Sequence, residues 1–439
     1  MSWEEIRVGI DDTDSRKGMC TTYLGSVLAN KLIRMGSVKF LDYPRLIRLN
    51  PSVPYKTRGN GAISFHLLVK DYSAVKRLVL DTVEDLSESR EWGVFFCSTD
   101  RLINHEIVRN AVSRVLEPSD ALNQIEEMEG VETAGGLGVI GAAASALYRL
   151  KDYTYEFLSY RTEKMRNRRE RLLDQSSVIE MDYKTYPDTF DNLDPETGRI
   201  LICPRGKDPV LFGIRGEYPW TVLEAASMIK VYEEIERWTI YRTNQGTDDH
   251  ISIREKYKPG DCIEIRGEVE ERGRKIAGGH VITRISGIPC AAYEPTGGFR
   301  DVILSLREGD IVRAYGCIRL DGKALNLEKI EILKLKREII ELNPPCPKCG
   351  RRGKSLGFRK GYVCKKCNVK FEGEKIRVEI PRKISEGKYE VPPRARRHIS
   401  KPLIREGREK DGKLSEEEVS FLNRGLWIGV GPPPKLEQI

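Results

Sequence analysis

Three aspartates stand close together near the start of the chain, in the stretch VGIDDTDSRKGMCTTYL that begins at Val8. Asp11, Asp12 and Asp14 fall within four residues, and carboxylates this close repel one another unless a cation lies between them. The apolar residues before them predict the end of a short strand, which is where α/β proteins place ligands. A metal-phosphate site is one interpretation of this cluster, and an acidic turn that caps the next helix is the other.

Four cysteines form the sharpest local pattern: Cys346-Pro-Lys-Cys349 and, after fourteen residues, Cys364-Lys-Lys-Cys367. Two such pairs offer the four thiolates of a tetrahedral zinc site. We predict a structural zinc ribbon, because four sulfur ligands leave no position open for a substrate. An iron–sulfur centre or redox-active thiols are the alternatives. The other six of the ten cysteines have no paired spacing, and we expect them to be reduced.

Two further stretches have the composition of phosphate-binding loops. Gly136-Leu-Gly138-Val-Ile-Gly141 leads into an alanine-rich segment, where backbone amides and a helix dipole could hold phosphate. No clear strand precedes these glycines, and tight helix packing explains them equally well. In RLIRLNPSVPYKTRGNG, basic side chains lie among turn residues, which favours an anion-binding loop over a plain surface hairpin; they include Arg48, Lys56 and Arg58.

The C-terminal stretch YEVPPRARRHISKPLIRE is rich in basic residues and is bounded by prolines. We predict that its basic side chains contact nucleic-acid phosphates, although a solvated run of charge is the alternative; they include Arg394, Arg396, Arg397 and Lys401. The net charge of +8 and the isoelectric point near 8.8 also favour an anionic partner.

The elements that must position these residues indicate a multidomain α+β protein, since 439 residues allow roughly two to four domains. TTYLGSVLANKLIRM predicts a helix directly after the acidic cluster, and we also expect a helix over residues 151–175. Strand, helix and strand follow over residues 176–255, which fits a ferredoxin-like unit. Between residues 257 and 338, short strands with glycine turns predict a small closed barrel, for which an OB-fold is the simplest choice.

The sequence also argues against several classes of function. No apolar run approaches the roughly 20 residues of a membrane span, and the first residues lack the features of a signal peptide. We therefore expect a cytoplasmic protein without a membrane partner. No Ser–His–Asp or HExxH arrangement stands out, and the five histidines are scattered.

Six stretches together resemble one family, the archaeal tRNA(Ile) 2-agmatinylcytidine synthetases. They are VGIDDTDSRKGMCTTYL, RLIRLNPSVPYKTRGNGA, YPDTFDN, FGIRGE, FEGE after the ribbon and VPPRARRHISKPLIR, and the resemblance extends over essentially the whole chain. It implies a kinase-like α/β domain at residues 1–170, a ferredoxin-like domain at 171–256, an OB-fold at 257–340, a zinc ribbon at 341–375 and a basic extension at 376–439.

The resemblance implies ATP-dependent replacement of the carbon-2 oxygen of the wobble cytidine in a CAU anticodon by agmatine. The resulting 2-agmatinylcytidine pairs with A, so the tRNA decodes AUA. ATP would supply a phosphoryl group that activates the oxygen, with Mg²⁺ as a second cofactor and Zn²⁺ in the ribbon. The family's autophosphorylated threonine corresponds to Thr21, and Asp11, Asp12 and Asp14 are the expected Mg²⁺ ligands.

Further roles follow from the same resemblance. The expected contacts to ATP or phosphate are Gly18, Thr22, Lys56, Arg58, Gly138 and Gly141, with Gly18 allowing the loop to turn. The expected contacts to tRNA are Arg48, Arg394, Arg396, Arg397 and Lys401. Agmatine needs a carboxylate for its guanidinium group, and Asp191 and Glu217 are the candidates.

A non-catalytic protein that binds single-stranded nucleic acid is the main alternative function. It leaves the acidic cluster unexplained and predicts that Asp11→Ala and Thr21→Ala are tolerated. A kinase-like enzyme that acts on another protein is the third possibility, but it gives the barrel, ribbon and tail no role. ATP consumption that depends on tRNA would separate the three.

Overall fold

One large mixed sheet organises the N-terminal half of the protein. The computed structural model describes residues 2–57, 59–98, 105–166 and 168–436. The first strands are β1 (Glu4–Asp11), β2 (Val38–Phe40), β3 (Arg45–Arg48), β4 (Gly61–Val69), β5 (Gly93–Cys97), β6 (Val131–Gly135) and β7 (Thr154–Arg161). The helices among them are α1 (Thr21–Arg34), α2 (Tyr72–Leu86), α3 (Glu106–Ser113), α4 (Pro118–Glu126), α5 (Gly138–Leu147) and α6 (Glu163–Arg166). The strand and helix predicted around the acidic cluster are confirmed.

The same sheet continues into the next part of the chain. The elements there are α7 (Gln175–Thr185), β8 (Thr189–Phe190), β9 (Leu193–Asp194), β10 (Arg199–Ile200), β11 (Val210–Gly216), α8 (Pro219–Met228) and β12 (Ile235–Thr243). The strand order is β6-β5-β1-β4-β3-β12-β7-β11-β8, and β12 joins the two halves by pairing in parallel with β3. The sheet therefore crosses residue 170 without a break, and the domain boundary expected there stays a prediction.

The helix expected over residues 151–175 is wrong. Thr154–Arg161 forms β7, a central strand in which every residue is buried, and only the short helix α6 follows it. A strand buried on both faces has no alternation of polar and apolar residues. Its charged members Glu156 and Arg161 gave the segment a helix-like composition, although the fold buries both.

Two apolar layers cover opposite faces of the sheet. Alternating residues of β1, such as Val8 and Ile10, belong to a core with α1 and α2. The residue between them, Gly9, faces α5, and a side chain there would lie 1.9 Å from the carbonyl oxygen of Ala142. The sequence therefore lets α5 approach the end of β1 closely, and this approach shapes the site described below.

A separate barrel follows the sheet. Its elements are β13 (Ser252–Ile253), β14 (Cys262–Lys275), β15 (Val281–Ile285), β16 (Ile288–Ala292), α9 (Phe299–Ser305), β17 (Ile311–Ile318) and β18 (Leu325–Lys334). Five strands run β14-β15-β16-β18-β17, and pairing of β14 with β17 closes the circle. The closed barrel predicted for this region is confirmed.

A cross-strand disulfide corrects the expectation that the six unpaired cysteines are reduced. Cys262 on β14 lies directly opposite Cys317 on β17, and their sulfur atoms are bonded. The other eight cysteines are free thiols in the structure. Spacing along the sequence could not indicate this pair, because the two residues are 55 positions apart and meet only when the barrel closes.

The remaining chain forms a small ribbon and a tail that returns to both larger units. Its elements are β19 (Glu338–Leu342), β20 (Lys354–Ser355), β21 (Tyr362–Cys364), β22 (Val369–Phe371), β23 (Ile376–Ile380), β24 (Gly387–Glu390), α10 (Glu416–Asn423) and β25 (Ile428–Val430). β24 pairs with β18 of the barrel, and β25 pairs with β12 of the main sheet. Within the described ranges, no helix has the length and apolar character needed to cross a membrane.

Candidate active site

A cavity of about 580 Å³ lies where β1 and β3 end beside the first residues of α1 and α5. Four of the six stretches that carry the resemblance contribute to this central cavity, although they are distant in sequence. The predicted site residues that line it are Asp11, Asp12, Asp14, Thr21, Thr22, Arg48, Lys56, Gly138 and Gly141. Arg58 lies outside the described residues. The fold thus brings most of the expected nucleotide-site residues to one place.

The acidic cluster forms one part of the cavity wall. Asp11 ends β1, and the backbone N–H of Asp12 donates to its Oδ1 over 2.7 Å. Burial raises the pKa of Asp11 to about 8, and the charges of Asp12 and Asp14 contribute to the rise. Burial and the charge of Glu91 raise the pKa of Asp12 to about 6. Carboxylates that resist ionisation in this way fit a divalent cation, because oxygen ligands suit Mg²⁺ and its charge would offset their repulsion.

The other interpretation of the acidic cluster, a cap for the next helix, is wrong. Helix α1 begins at Thr21 with Cys20 at its N-cap, and no side chain there accepts a capping hydrogen bond. Thr21 is buried, and its Oγ1 accepts a hydrogen bond of 3.2 Å from the Oγ1 of Thr13. The loop that carries the aspartates therefore folds back onto Thr21. Since the positive end of α1 also faces this point, an anionic ligand is favoured there.

Gly18 does not have the role expected for it. The residues with left-handed backbone in this loop are Asp12, at φ 54°, and Met19, at φ 60°, and Gly18 is not among the residues that line the central cavity. A side chain at Gly18 would meet only the Glu88 carboxylate, at 3.4 Å. The Met19 side chain is buried and belongs to the apolar core, and the phosphate contact expected of Gly18 stays a prediction.

The glycine-rich stretch has the strand that sequence analysis did not find. β6 ends at Gly135 and α5 begins at Gly138, which gives the strand–turn–helix arrangement of a phosphate-binding loop. Close packing also explains these glycines, since a side chain at Gly138 would lie 2.8 Å from the Asp11 carbonyl oxygen. The N–H groups of Gly136 and Gly138 donate to the carbonyl oxygens of Trp92 and Glu91, over 2.8 and 2.7 Å. The structure therefore favours close packing, and the phosphate contacts expected of Gly138 and Gly141 stay predictions.

Gly141→Ala tests this close approach. The added methyl group would lie 1.8 Å from Oδ2 of Asp11, so the carboxylate must move. We expect agmatine incorporation into tRNA to fall by at least about tenfold, with a stability loss of about 1–3 kcal/mol from overpacking. Gly206→Ala is the matched control, because nothing lies within 4 Å of a side chain there. Equal activity of the two variants would show that the position of Asp11 does not matter.

A second part of the wall, the basic wall, consists of Arg48, Arg215 and His398. Both arginines share the carboxylate of Glu156, at 3.4 Å from Arg48 Nη2 and 3.5 Å from Arg215 Nε. Glu156 also accepts a hydrogen bond from Gln245 Nε2. Asp191, which pairs with Arg396, also lies 3.7 Å from Arg215. The guanidinium groups of this wall complement a phosphate group.

Lys56 lines the cavity, but its ammonium group forms hydrogen bonds within its own loop. Its Nζ donates to the carbonyl oxygens of Pro51 and Val53, over 2.6 and 3.0 Å. Burial and the nearby charge of Arg397 lower the pKa of Lys56. Lys56 therefore stabilises the loop that contains Pro51 and Val53, and its expected phosphate contact stays a prediction.

The basic residues of the tail point mainly to carboxylates of the protein itself. Arg394 pairs with Asp194 and Glu196, Arg396 with Asp191 and Glu390, Arg397 with Glu328, and Lys401 with Glu409. Only 6% of the Arg396 side chain is exposed, which leaves little surface for a tRNA phosphate. The tail is thus a strap held by ion pairs, and the tRNA contacts expected for these four residues stay predictions.

Neither carboxylate considered for agmatine offers an open site in this structure. Asp191 accepts from Arg396 and lies 3.7 Å from Arg215, so a guanidinium already faces it. Glu217 is 1% exposed and accepts two hydrogen bonds from Arg405, at 2.6 and 3.2 Å. Both residues therefore bind arginine side chains of the same chain and hold the tail in place.

Among the charged residues of the cavity wall, sequence reasoning did not single out Glu91, Glu156 or Arg215, and it placed His398 only among the basic residues of the tail. Arg215 and His398 stand inside two of the quoted stretches, FGIRGE and VPPRARRHISKPLIR, so a signal for them was present. Glu91 and Glu156 are isolated glutamates without a motif, and only the fold shows that they face the cavity.

The four paired cysteines meet as predicted. The sulfur atoms of Cys346, Cys349, Cys364 and Cys367 all lie within 4.8 Å of one another, beside the short strands β20, β21 and β22. Sulfur ligands about 2.3 Å from a zinc ion leave similar separations among themselves, so the group fits tetrahedral Zn²⁺. With four protein ligands, zinc here would stabilise the ribbon and take no substrate.

Cys364→Ser tests the structural role of this site. We expect bound zinc to fall from one ion per chain towards none, since structural zinc and ribbon folding are coupled. Hydrogen exchange should then accelerate in β20–β22, while β1, β4 and β12 stay protected. Cys203→Ser, which removes a free thiol outside the ribbon, should keep its zinc. A Cys364→Ser protein with full zinc content would contradict the assignment.

Comparison with known protein families gives three matches along the chain. Residues 7–71 match the description "TiaS TCKD domain", residues 136–250 "TiaS FLD domain" and residues 343–384 "TiaS C-terminal zinc ribbon domain". The first two matches contain the acidic cluster, Arg48, the glycine-rich loop and Arg215. The central cavity is therefore built at the junction of two family domains.

Full-length relatives agree with these matches. The tRNA(Ile) 2-agmatinylcytidine synthetase TiaS of Archaeoglobus fulgidus is 41% identical over 414 residues, which cover 91% of this chain and 97% of the relative. The solved complex of TiaS with its isoleucine tRNA and ATP is similar with a TM-score of 0.82 at 39% identity, covering 92% of this chain and 97% of that chain. The complex of TiaS with the same tRNA, AMPCPP and agmatine gives 0.78 at 36% identity, with the same coverage. This chain belongs to the tRNA(Ile) 2-agmatinylcytidine synthetase family.

Proposed function

We propose that this protein is an ATP-dependent ligase that attaches agmatine to carbon 2 of the wobble cytidine in tRNA(Ile) with a CAU anticodon. The product, 2-agmatinylcytidine, pairs with A and allows the tRNA to decode AUA. The observation that carries the proposal is the central cavity, where an acidic cluster, a buried threonine and a basic wall meet. Relatives solved with an isoleucine tRNA, ATP and agmatine support the same assignment.

The residues of the cavity have complementary roles in this reaction. Asp11, Asp12 and Asp14 would hold Mg²⁺, which neutralises charge on the polyphosphate when it is bound. Thr21 lies at the start of α1, against the acidic loop, where it can accept or pass on a phosphoryl group. Arg48 would orient the phosphates, and the close turn at Gly138 and Gly141, which line the cavity, would leave room for them. Phosphorylation of the carbon-2 oxygen makes it a leaving group, and the agmatine amine then displaces it.

The subdomain assignments support this function and remain part of the proposal. We infer a kinase-like domain in residues 1–170 and a ferredoxin-like domain in residues 171–256, with the cavity between their strands. An OB-fold is supported for residues 257–340 by the closed strand order, by α9 between β16 and β17, and by the parallel pairing of β16 with β18. The barrel, the zinc ribbon (341–375) and the extension (376–439) would hold the tRNA.

ATP consumption tests the proposal against the two alternatives. We expect the wild-type protein with Mg²⁺ to consume ATP faster when both agmatine and a CAU-anticodon tRNA(Ile) transcript are present. The same transcript with the wobble cytidine changed to uridine is the matched control and should give no acceleration. Consumption that ignores tRNA would indicate a kinase for another substrate. Tight tRNA binding without consumption would indicate a binding protein.

A further inference from the structure

His398 is the one member of the basic wall that comes from the C-terminal tail. Backbone hydrogen bonds hold this part of the tail against residues 246–248. The carbonyl oxygen of His398 accepts from Gly246 N–H over 2.9 Å, and that of Ile399 accepts from Thr247 and Asp248 over 3.1 and 2.9 Å. The imidazole lies beside Arg215 and lines the central cavity. The strap therefore places this ring beside Arg215, which precedes it by 183 positions.

The neighbours of the ring determine where its proton lies. Nη2 of Arg215 contacts Nδ1 of His398, and a guanidinium can only donate hydrogen bonds. Nδ1 must therefore accept, so the proton of the neutral ring lies on Nε2. Burial and the positive charges of Arg215 and Arg48 hold the pKa of His398 well below 6.5, which keeps the ring neutral. In this tautomer Nε2 donates a hydrogen bond and cannot act as a base.

The surroundings of Nε2 indicate what the N–H group meets. A side chain at Gly59 would lie 3.7 Å from Nε2 and 2.9 Å from Nη1 of Arg48, so the glycine leaves space beside both groups. Gly59 also lines the cavity. A ligand oxygen at this point would meet donors from His398 and Arg48, and a positive field from two arginines, which favours an anionic oxygen.

We propose that His398 is a ligand-binding residue whose Nε2–H donates a hydrogen bond to a phosphate oxygen held in the central cavity next to Arg48. The proposal rests on the proposed function, which places phosphate groups in this cavity. The oxygen can belong to the triphosphate of ATP or to a phosphate carried by the tRNA. In either case a neutral donor adds specificity for oxygen without adding charge to a wall that already holds two arginines.

Three variants of the full-length protein distinguish hydrogen-bond donation by Nε2 of His398 from a role in which His398 only positions Arg215. The amide nitrogen of His398→Gln takes the place of Nε2, whereas the amide of His398→Asn takes the place of Nδ1 and can still accept from Arg215. We expect His398→Gln to keep agmatine incorporation within about threefold of wild type. His398→Asn and His398→Ala should lose about 10- to 100-fold, as for a hydrogen bond to a charged group.

The same variants identify the source of the phosphate. If the oxygen belongs to ATP, His398→Ala should raise the KM for ATP, and direct titration with ATP and Mg²⁺ should show weaker binding without tRNA. If it belongs to the tRNA, ATP binding should stay unchanged and the KM for tRNA should rise. Melting temperatures within a few degrees of wild type would show that the variants fold.

Other patterns would overturn the proposal. If His398→Asn keeps its activity and His398→Gln loses it, then His398 only positions Arg215. An equal loss of agmatine incorporation in His398→Gln, His398→Asn and His398→Ala would indicate that His398 acts as a base or has a steric role. Full activity of His398→Ala would exclude any role for this side chain. A wild-type protein that does not incorporate agmatine would count against the proposed function instead, and the ATP titrations would still test His398.

Discussion

Asp11→Asn and Asp12→Asn should each lower agmatine incorporation into tRNA(Ile) by about 100- to 1000-fold, the cost of removing a preorganised charge from an active site. Both carboxylates line the central cavity beside Thr21, and asparagine keeps their size while removing the charge that a divalent cation requires. Initial rates with labelled agmatine, saturating ATP and Mg²⁺ measure the effect. Asp81→Asn, on the exposed side of α2, is the matched control and should keep full activity.

The stability of these variants should move in the opposite direction from their activity. In the folded protein without Mg²⁺ the pKa of Asp11 is about 8, against 3.8 for an ordinary aspartate. The folded state therefore holds a proton that the unfolded state releases, so wild-type stability should fall as pH rises from about 4 to about 8. Asp11→Asn removes this dependence and should melt at a higher temperature than wild type at pH 8 in magnesium-free buffer. A variant that is both active and less stable would contradict the assigned role.

Arg405→Met should cost about 3–5 kcal/mol of unfolding free energy, because it leaves buried carboxylates without their partner. The Arg405 side chain is fully buried and lies between Glu217, at 2.6 Å, and Asp152, at 3.1 Å. Its ion pairs tie the tail to the chain beside β7 and β11, close to the segment that carries His398. Urea denaturation followed by tryptophan fluorescence measures the loss.

A surface arginine of the same tail provides the control for Arg405. Arg408 pairs with Asp188, but its side chain is 27% exposed and that of Asp188 43%, so Arg408→Met should cost at most about 1 kcal/mol. Adding Glu217→Leu to Arg405→Met should recover part of the lost stability, since it removes one of the buried carboxylates that Arg405→Met leaves without a partner. Equal losses for Arg405→Met and Arg408→Met would show that burial of this ion pair does not matter.

Local chemistry made the acidic cluster and the zinc ribbon predictable. Asp11, Asp12 and Asp14 lie within four residues and their charges act on one another, so residue types and spacing carried the information. The four ribbon cysteines likewise lie in two short pairs. The structure brings the members of each group together because they are close in sequence or have a fixed ligand geometry, and the Mg²⁺ expected at the aspartates stays a prediction.

Features that depend on distant partners were not predictable. Glu156 and Arg161 read as surface charges until the fold supplies Gln245 and Glu233, which lie 89 and 72 residues away. The arginines of the tail are a further example. Arg394 pairs with Asp194, 200 positions earlier in the chain, and neither the predicted phosphate contact nor the alternative of a solvated run of charge indicated this pairing. The disulfide between Cys262 and Cys317 also required knowledge of strand register.

Incorporation of labelled agmatine into a tRNA(Ile) transcript with a CAU anticodon tests the central claim most directly. With ATP and Mg²⁺ we expect the wild-type protein to label this transcript and not the transcript whose wobble cytidine is changed to uridine, while Thr21→Ala and Asp12→Asn give little or no product. Tight binding of the tRNA without incorporation, or full incorporation by Asp12→Asn, would contradict the account.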